Sequence, residues 1–118
     1  MTLKRGDIVL ARFPHAAGGR GEKRPVLVVQ SDSYNAQVRH VIVAEITTNL
    51  SAATDPAHLL IDVSTPDGRA TGLMQSSVVT CLHLATMSQD RMDRIIGSLP
   101  AAMMKQVNDC LKAALAVA

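Results

Sequence analysis

Arg24, Thr47, Glu22, His15 and His83 are the residues of this sequence whose types and spacing suit chemistry at an anionic centre. Arg24 stands directly before an apolar run that opens at Pro25, so its backbone is fixed while its head can project from a rim. A permanently charged group with several donors suits charge developing on a phosphate. Its competing role is a rim salt bridge to Glu22 or Asp32. Thr47 and Thr48 close the run from His40 to Ile46, where two hydroxyls can donate to a phosphate or cap the following turn. Glu22 and His15 lie in the loop before Arg24, and His83 follows the fifth apolar run. Histidine, with an ordinary pKa of about 6.5, can move protons at neutral pH. His40 and His58 read as strand ends without partners.

Other chemistries lack their residues. No His-x-His, Cys-x-x-Cys or clustered carboxylates offer a metal site, so no metal and no cofactor is expected. The Gly-x-Ser-x-Gly turn of a serine hydrolase and the Gly-Lys-Ser/Thr of a phosphate loop are also missing.

The elements that must position these groups are short. Runs at Asp7 to Phe13, Pro25 to Gln30, His40 to Ile46, His58 to Val63, Leu73 to Cys81 and Arg94 to Leu99 are β-branched and bounded by Gly, Pro, Asp or Ser. That is the pattern of a small barrel or compact sheet. Pro25 can begin its strand but not sit centrally in it. Ser88 and Asp90 predict one capped helical turn through Met92. From Pro100 onward Met104, Val107, Leu111, Ala114 and Leu115 recur at helical spacing and predict a closing helix. Pro66, Asp67 and Gly68 read as a turn.

With 118 residues and 47% hydrophobic content the chain can bury one core, so a single domain over 1–118 is expected. Cys81 and Cys110 lie in apolar stretches without pairing or metal spacing, which suits free thiols in a reducing compartment. No secretory signal or membrane span is legible, so a cytoplasmic protein is expected. Residues 1–24 hold six Lys/Arg against two Asp/Glu, a local charge of +4, and leave six against eight for the rest. With the glycine-rich loop that carries Arg20, Glu22, Lys23 and Arg24, this basic first hairpin fits a polyanion or an acidic peptide.

Several stretches carry a resemblance. Lys4-Arg5-Gly6-Asp7-Ile8-Val9, then Gly21-Glu22-Lys23-Arg24-Pro25-Val26-Leu27-Val28-Val29, then Val41-Ile42-Val43-Ala44 leading into Ile46-Thr47-Thr48, are similar to the MazF/PemK family of toxin endoribonucleases. The likeness continues through Gly72-Leu73, Ser77-Val78-Val79, Thr86, Ile96-Gly97-Ser98-Leu99 and the final helix. Its most specific part is Arg-Pro before an apolar strand with a strand-end Thr 23 residues after the Arg. The resemblance implies a mainly β fold with α, an SH3-like small barrel with a C-terminal helix. It also implies a symmetric homodimer and metal-independent, sequence-specific cleavage of single-stranded RNA. In that family the matches of Arg24 and Thr47 serve attack of the ribose 2′-hydroxyl on the neighbouring phosphate, which leaves a 2′,3′-cyclic phosphate and a 5′-hydroxyl. Arg24 would stabilise the charge and Thr47 would hold a phosphate oxygen.

Arg20, Lys23, Phe13, Thr48, Asn49 and Gln75 are then the expected RNA-binding residues. Phe13 and Tyr34 are the only aromatic platforms for bases, so base edges would be read by side chains such as Asn49, Ser51 or Gln75. Some members carry an Arg-x-Asp pair where this chain has Thr80-Cys81-Leu82, which leaves Glu22, His15 and His83 to share the part of general base. The expected partner is an antitoxin whose acidic, disordered tail covers the cationic groove. The alternative is a barrel toxin without catalysis, or a degenerate member, acting by protein binding. The related gyrase poisons depend on a C-terminal tryptophan, and this chain has none.

Overall fold

The computed structural model describes residues 2–12 and 22–118. The chain runs β1 (Asp7–Arg12), β2 (Lys23–Val28), α1 (Asp32–Asn35), β3 (His40–Thr47), β4 (His58–Ile61), α2 (Pro66–Arg69), β5 (Ser77–Ser88), a 3-10 turn (Gln89–Arg91), β6 (Met92–Ser98) and α3 (Ala101–Leu115). The strands form one antiparallel sheet in the order β4-β5-β3-β2-β1-β6. The fold is thus the mainly β architecture with a closing helix that the sequence leads one to expect.

Alternation divides the side chains between two faces. Ile8, Leu27, Ala44, Ile46, Leu59, Ile61 and Val79 point to the face covered by α3 and join its Val107 and Cys110. Val9, Ala11, Val26, Val28, Val41 and Val43 point the other way and pack with Leu3, Met87 and Met92. The helix faces inward with Val107 and Cys110 buried and Met103, Met104, Leu111 and Ala114 partly so. Leu115, expected on that stripe, is instead 55% exposed, because the stripe runs Val107, Cys110, Leu111, Ala114 and turns away before it.

Three boundaries differ from expectation in ways that matter for the site. β2 opens at Lys23, so Arg24 lies in the strand rather than before it. Pro25 is tolerated inside β2 because pairing with β3 begins only at Val26, which leaves Pro25 paired with Leu10 of β1 alone. β5 begins four residues later than Leu73 and runs on to Ser88. Its continuation was hidden by a break in alternation. Thr80 lies opposite Glu45 and Leu84 opposite Ala44, so β3 advances one residue while β5 advances four. Cys81, Leu82 and His83 are therefore a bulge. Cys81 N donates to Ala57 O at 3.0 Å, and Leu82 N to Thr80 Oγ1 at 3.3 Å.

The short elements follow local chemistry. The Ser88 hydroxyl accepts from Asp90 N as expected, and Pro66-Asp67-Gly68 is one helical turn capped by Thr65 Oγ1 rather than a simple turn. Gly97 of β6 packs so closely on the Thr71 carbonyl that no Cβ fits, which ties the segment after α2 to the sheet. Among the described residues no helix is long and apolar enough to cross a membrane.

Candidate active site

On the face that carries Val41 and Val43, the next positions of β3 at the same parity are Glu45 and Thr47. An apolar stripe there gives way to a carboxylate and a hydroxyl. The same face of the neighbouring strands adds Arg24 from β2, Val78 and Thr80 from β5, and His58 and Leu60 from β4, with His58 opposite Thr80. Four strands thus present one polar row where the second core cluster ends.

Glu45 is the hub of that row. Its side chain is only 15% exposed, and its two oxygens are divided between two partners: Arg24 Nη1 lies 3.3 Å from Oε1 and His83 Nδ1 lies 2.7 Å from Oε2. The bulge in β5 is what lets His83 reach a residue that the regular ladder would set opposite Thr80. Arg24 therefore pairs with neither Glu22 nor Asp32. The Asp32 carboxylate instead accepts the Arg5 backbone N–H at 2.6 Å.

Thr47 Oγ1 accepts the Asn49 backbone N–H at 3.2 Å, and Asn49 Oδ1 accepts the Ser51 N–H at 3.1 Å. The turn-capping role read for this hydroxyl is real, and it leaves the hydroxyl proton available to donate. Glu45, Thr47, Asn49, Ser51, His58, Thr80 and His83 border a cavity of about 240 Å³. Arg24, Pro25, Thr47, Thr48, Asn49 and Ser77 border an adjoining one of about 380 Å³. The two meet at Thr47 and Asn49.

His58 has partners, contrary to expectation. Its Nδ1–H donates to Ala52 O at 2.8 Å, and Thr80 Oγ1 donates to its Nε2 at 3.0 Å. Both ring nitrogens are thereby committed to the fold. Cys81, at the base of the bulge, is a buried free thiol whose pKa burial pushes up to about 11, so it stays protonated and is no nucleophile.

Of the residues singled out from sequence, Arg24, Thr47, Thr48, Asn49 and His83 gather here. Gln75 borders the next cavity along, about 290 Å³, together with Pro25, Thr48 and Arg94. Lys23 points away: it alternates with Arg24, and its Nζ lies 3.3 Å from Asp93 of β6. Glu22 is exposed and makes no ion pair or hydrogen bond with any described residue. His15, Arg20 and Phe13 lie outside the described residues, and Tyr34, 60% exposed on α1, is remote from these cavities. Glu45 was missed. Its signal was present, a charged residue in the frame set by Val41 and Val43.

Comparison with known proteins gives a consistent picture. The sequence model of a family described as PemK-like, MazF-like toxin of type II toxin-antitoxin system matches residues 4–115. The chain is 32% identical to Endoribonuclease MazF6 of Mycobacterium tuberculosis over 117 residues, covering 98% of each. It is 33% identical to Endoribonuclease EndoA of Bacillus subtilis over 118 residues, covering 99% of this chain and 97% of that one. Among solved structures, Mycobacterium tuberculosis toxin MazF-mt6 superimposes with a TM-score of 0.77 at 24% identity, covering 95% of this chain and 98% of that one. A mycobacterial endoribonuclease in complex with its cognate antitoxin also gives 0.77, at 21% identity over 98% of this chain and 97% of that one.

Proposed function

Because the chain belongs to the PemK-like, MazF-like toxins of type II toxin-antitoxin systems, we propose that its cavities at the end of β3 are where this endoribonuclease cuts single-stranded RNA. The observation that carries this reading is the convergence of Arg24 and Thr47 on one cavity, a fixed guanidinium and a free hydroxyl proton at the rim of a rigid sheet. Such an arrangement can hold a phosphodiester by its non-bridging oxygens and neutralise the charge that grows when the ribose 2′-hydroxyl attacks. The products are a 2′,3′-cyclic phosphate and a 5′-hydroxyl.

Arg24 acts by charge, since a guanidinium does not give up its proton in a protein. Its Nη1 is held by Glu45, which leaves the other nitrogens to the phosphate. Thr48, Asn49 and Gln75, exposed along the adjoining cavities, are positioned to meet bases on either side of the cut. The chain works as one toxin domain in the cytoplasm, as a homodimer. Relatives solved with their antitoxins support a further part of the reading, an antitoxin whose acidic extended tail lies across the same cavities.

The test is to incubate the purified protein with a long single-stranded RNA in excess chelator and characterise the new ends. Discrete cuts bearing 5′-hydroxyls and 2′,3′-cyclic phosphates are expected. Cuts bearing 5′-phosphates, or activity that the chelator abolishes, would overturn the mechanism.

A further inference from the structure

The resemblance leaves the general base unassigned, because the Arg-x-Asp pair of some relatives is replaced by Thr80-Cys81-Leu82. We propose that His83 is that base and that Glu45 positions it, the two forming a dyad that also locks Arg24. This inference rests on the endoribonuclease reading above and deepens it.

The geometry supports the pairing from three directions. The three-residue bulge in β5 has its own hydrogen bonds, so His83 is presented by a structured backbone rather than by a loose loop. The 2.7 Å contact joins Nδ1 to Glu45 Oε2, so Nδ1 carries a proton and a neutral His83 has its lone pair on Nε2. Nε2 has no partner among the described residues, and the ring, 62% exposed, borders the cavity that also contains Thr47. The remaining candidates are less well placed. His58 spends both nitrogens on Ala52 and Thr80, and Glu22 contacts nothing in the described site.

One carboxylate spans both halves of the reaction. Arg24 sits on Oε1 at 3.3 Å and His83 on Oε2 at 2.7 Å, so phosphate holder and base are joined through one carboxylate. In the step, the 2′ O–H bond breaks and its proton passes to His83 Nε2. The 2′ oxygen bonds to phosphorus, the bond from phosphorus to the 5′ oxygen breaks, and that oxygen takes a proton from solvent water. Arg24 neutralises the charge on the non-bridging oxygens, while Glu45 stabilises the imidazolium that has formed. The charged and titratable groups facing His83 are Glu45 from β3, Arg24 from β2 through the same carboxylate, and His58 from β4 across the cavity.

The test compares wild type, His83→Gln, Glu45→Gln and, as a control at the far end of β3, His40→Gln, on one RNA across pH. His83→Gln is expected to lose about 10²-fold or more in kcat with little change in KM, and to lose the acid limb of the pH–rate profile. Glu45→Gln is expected to lose about ten-fold in kcat with KM unchanged, since the amide no longer holds the imidazole by a charged contact. Imidazole added to His83→Ala restores part of the rate, which no structural role would allow. His83→Gln within about three-fold of wild type, with an unchanged pH profile, overturns the dyad while leaving the endoribonuclease reading intact. A wild type that cuts no RNA overturns both.

Discussion

Arg24→Ala removes a guanidinium that meets a single carboxylate, Glu45, at 3.3 Å, with 41% of its own side chain exposed. A long, partly solvated ion pair of that kind contributes at most about 1 kcal/mol to folding. For a chain of this size that corresponds to a fall in Tm of about 3–6 °C at most. The loss in catalysis is larger. Removing one preorganised donor from a developing oxyanion costs about 10²–10³-fold in kcat, roughly 3–4 kcal/mol. The two magnitudes separate cleanly: the variant should remain folded and monodisperse while its cleavage rate falls by two to three orders of magnitude (about 10²–10³). The assay pairs thermal unfolding with initial rates of cleavage on one RNA under saturating conditions. Arg24→Lys serves as a second arm, since a point charge without the planar fork should recover only part of the rate. A folded Arg24→Ala protein that cuts within about ten-fold of wild type would show that Arg24 does not carry the charge of the transition state, since loss of such a donor costs at least about 10²-fold.

Three further outcomes are expected. Val107, fully buried where α3 meets the sheet, should cost about 2–3 kcal/mol on replacement by alanine, read as a lower denaturant midpoint at unchanged slope. Burial raises the Cys81 pKa from 9.0 to about 11, so between those values the unfolded chain has lost the thiol proton that the folded chain still holds; stability contributed below pH 9 should fall as pH rises through that window, and Cys81→Ala should flatten the fall in unfolding scans from pH 8.5 to 11. An acidic antitoxin peptide should bind with an affinity that falls as salt rises, measured by titration calorimetry at several ionic strengths; salt-independent binding would show that charge is not its basis.

Much of this architecture was legible because small β proteins announce their strands by composition. The runs around Val9, Leu27, Val43 and Ile61 are apolar and bounded by breakers, and each became a strand of the sheet. Arg24 and Thr47 stood out because the first stands directly before such a run and the second closes one. The fifth strand was misread for a physical reason. A bulge takes three residues out of the ladder, so alternation before Thr80 and after Leu84 is out of phase, and no single period describes the stretch. The same bulge hid the link between His83 and Glu45, which are 38 positions apart and meet only through the resulting shift in register. His58 looked unpartnered because both its contacts, Ala52 O and Thr80 Oγ1, come from segments whose placement depends on the fold. Lys23 belongs to the basic run by composition alone, and strand alternation turns it toward Asp93.

The most direct measurement is a crystal structure with a short RNA that carries a 2′-deoxynucleotide at the mapped cut site, so that the substrate binds but cannot attack. The scissile phosphate is expected within hydrogen-bond reach of Arg24 and Thr47, with the missing 2′-hydroxyl position facing His83 Nε2. An RNA whose scissile phosphate rests elsewhere, with Glu45, His83 and Arg24 still joined and empty of ligand, would contradict it.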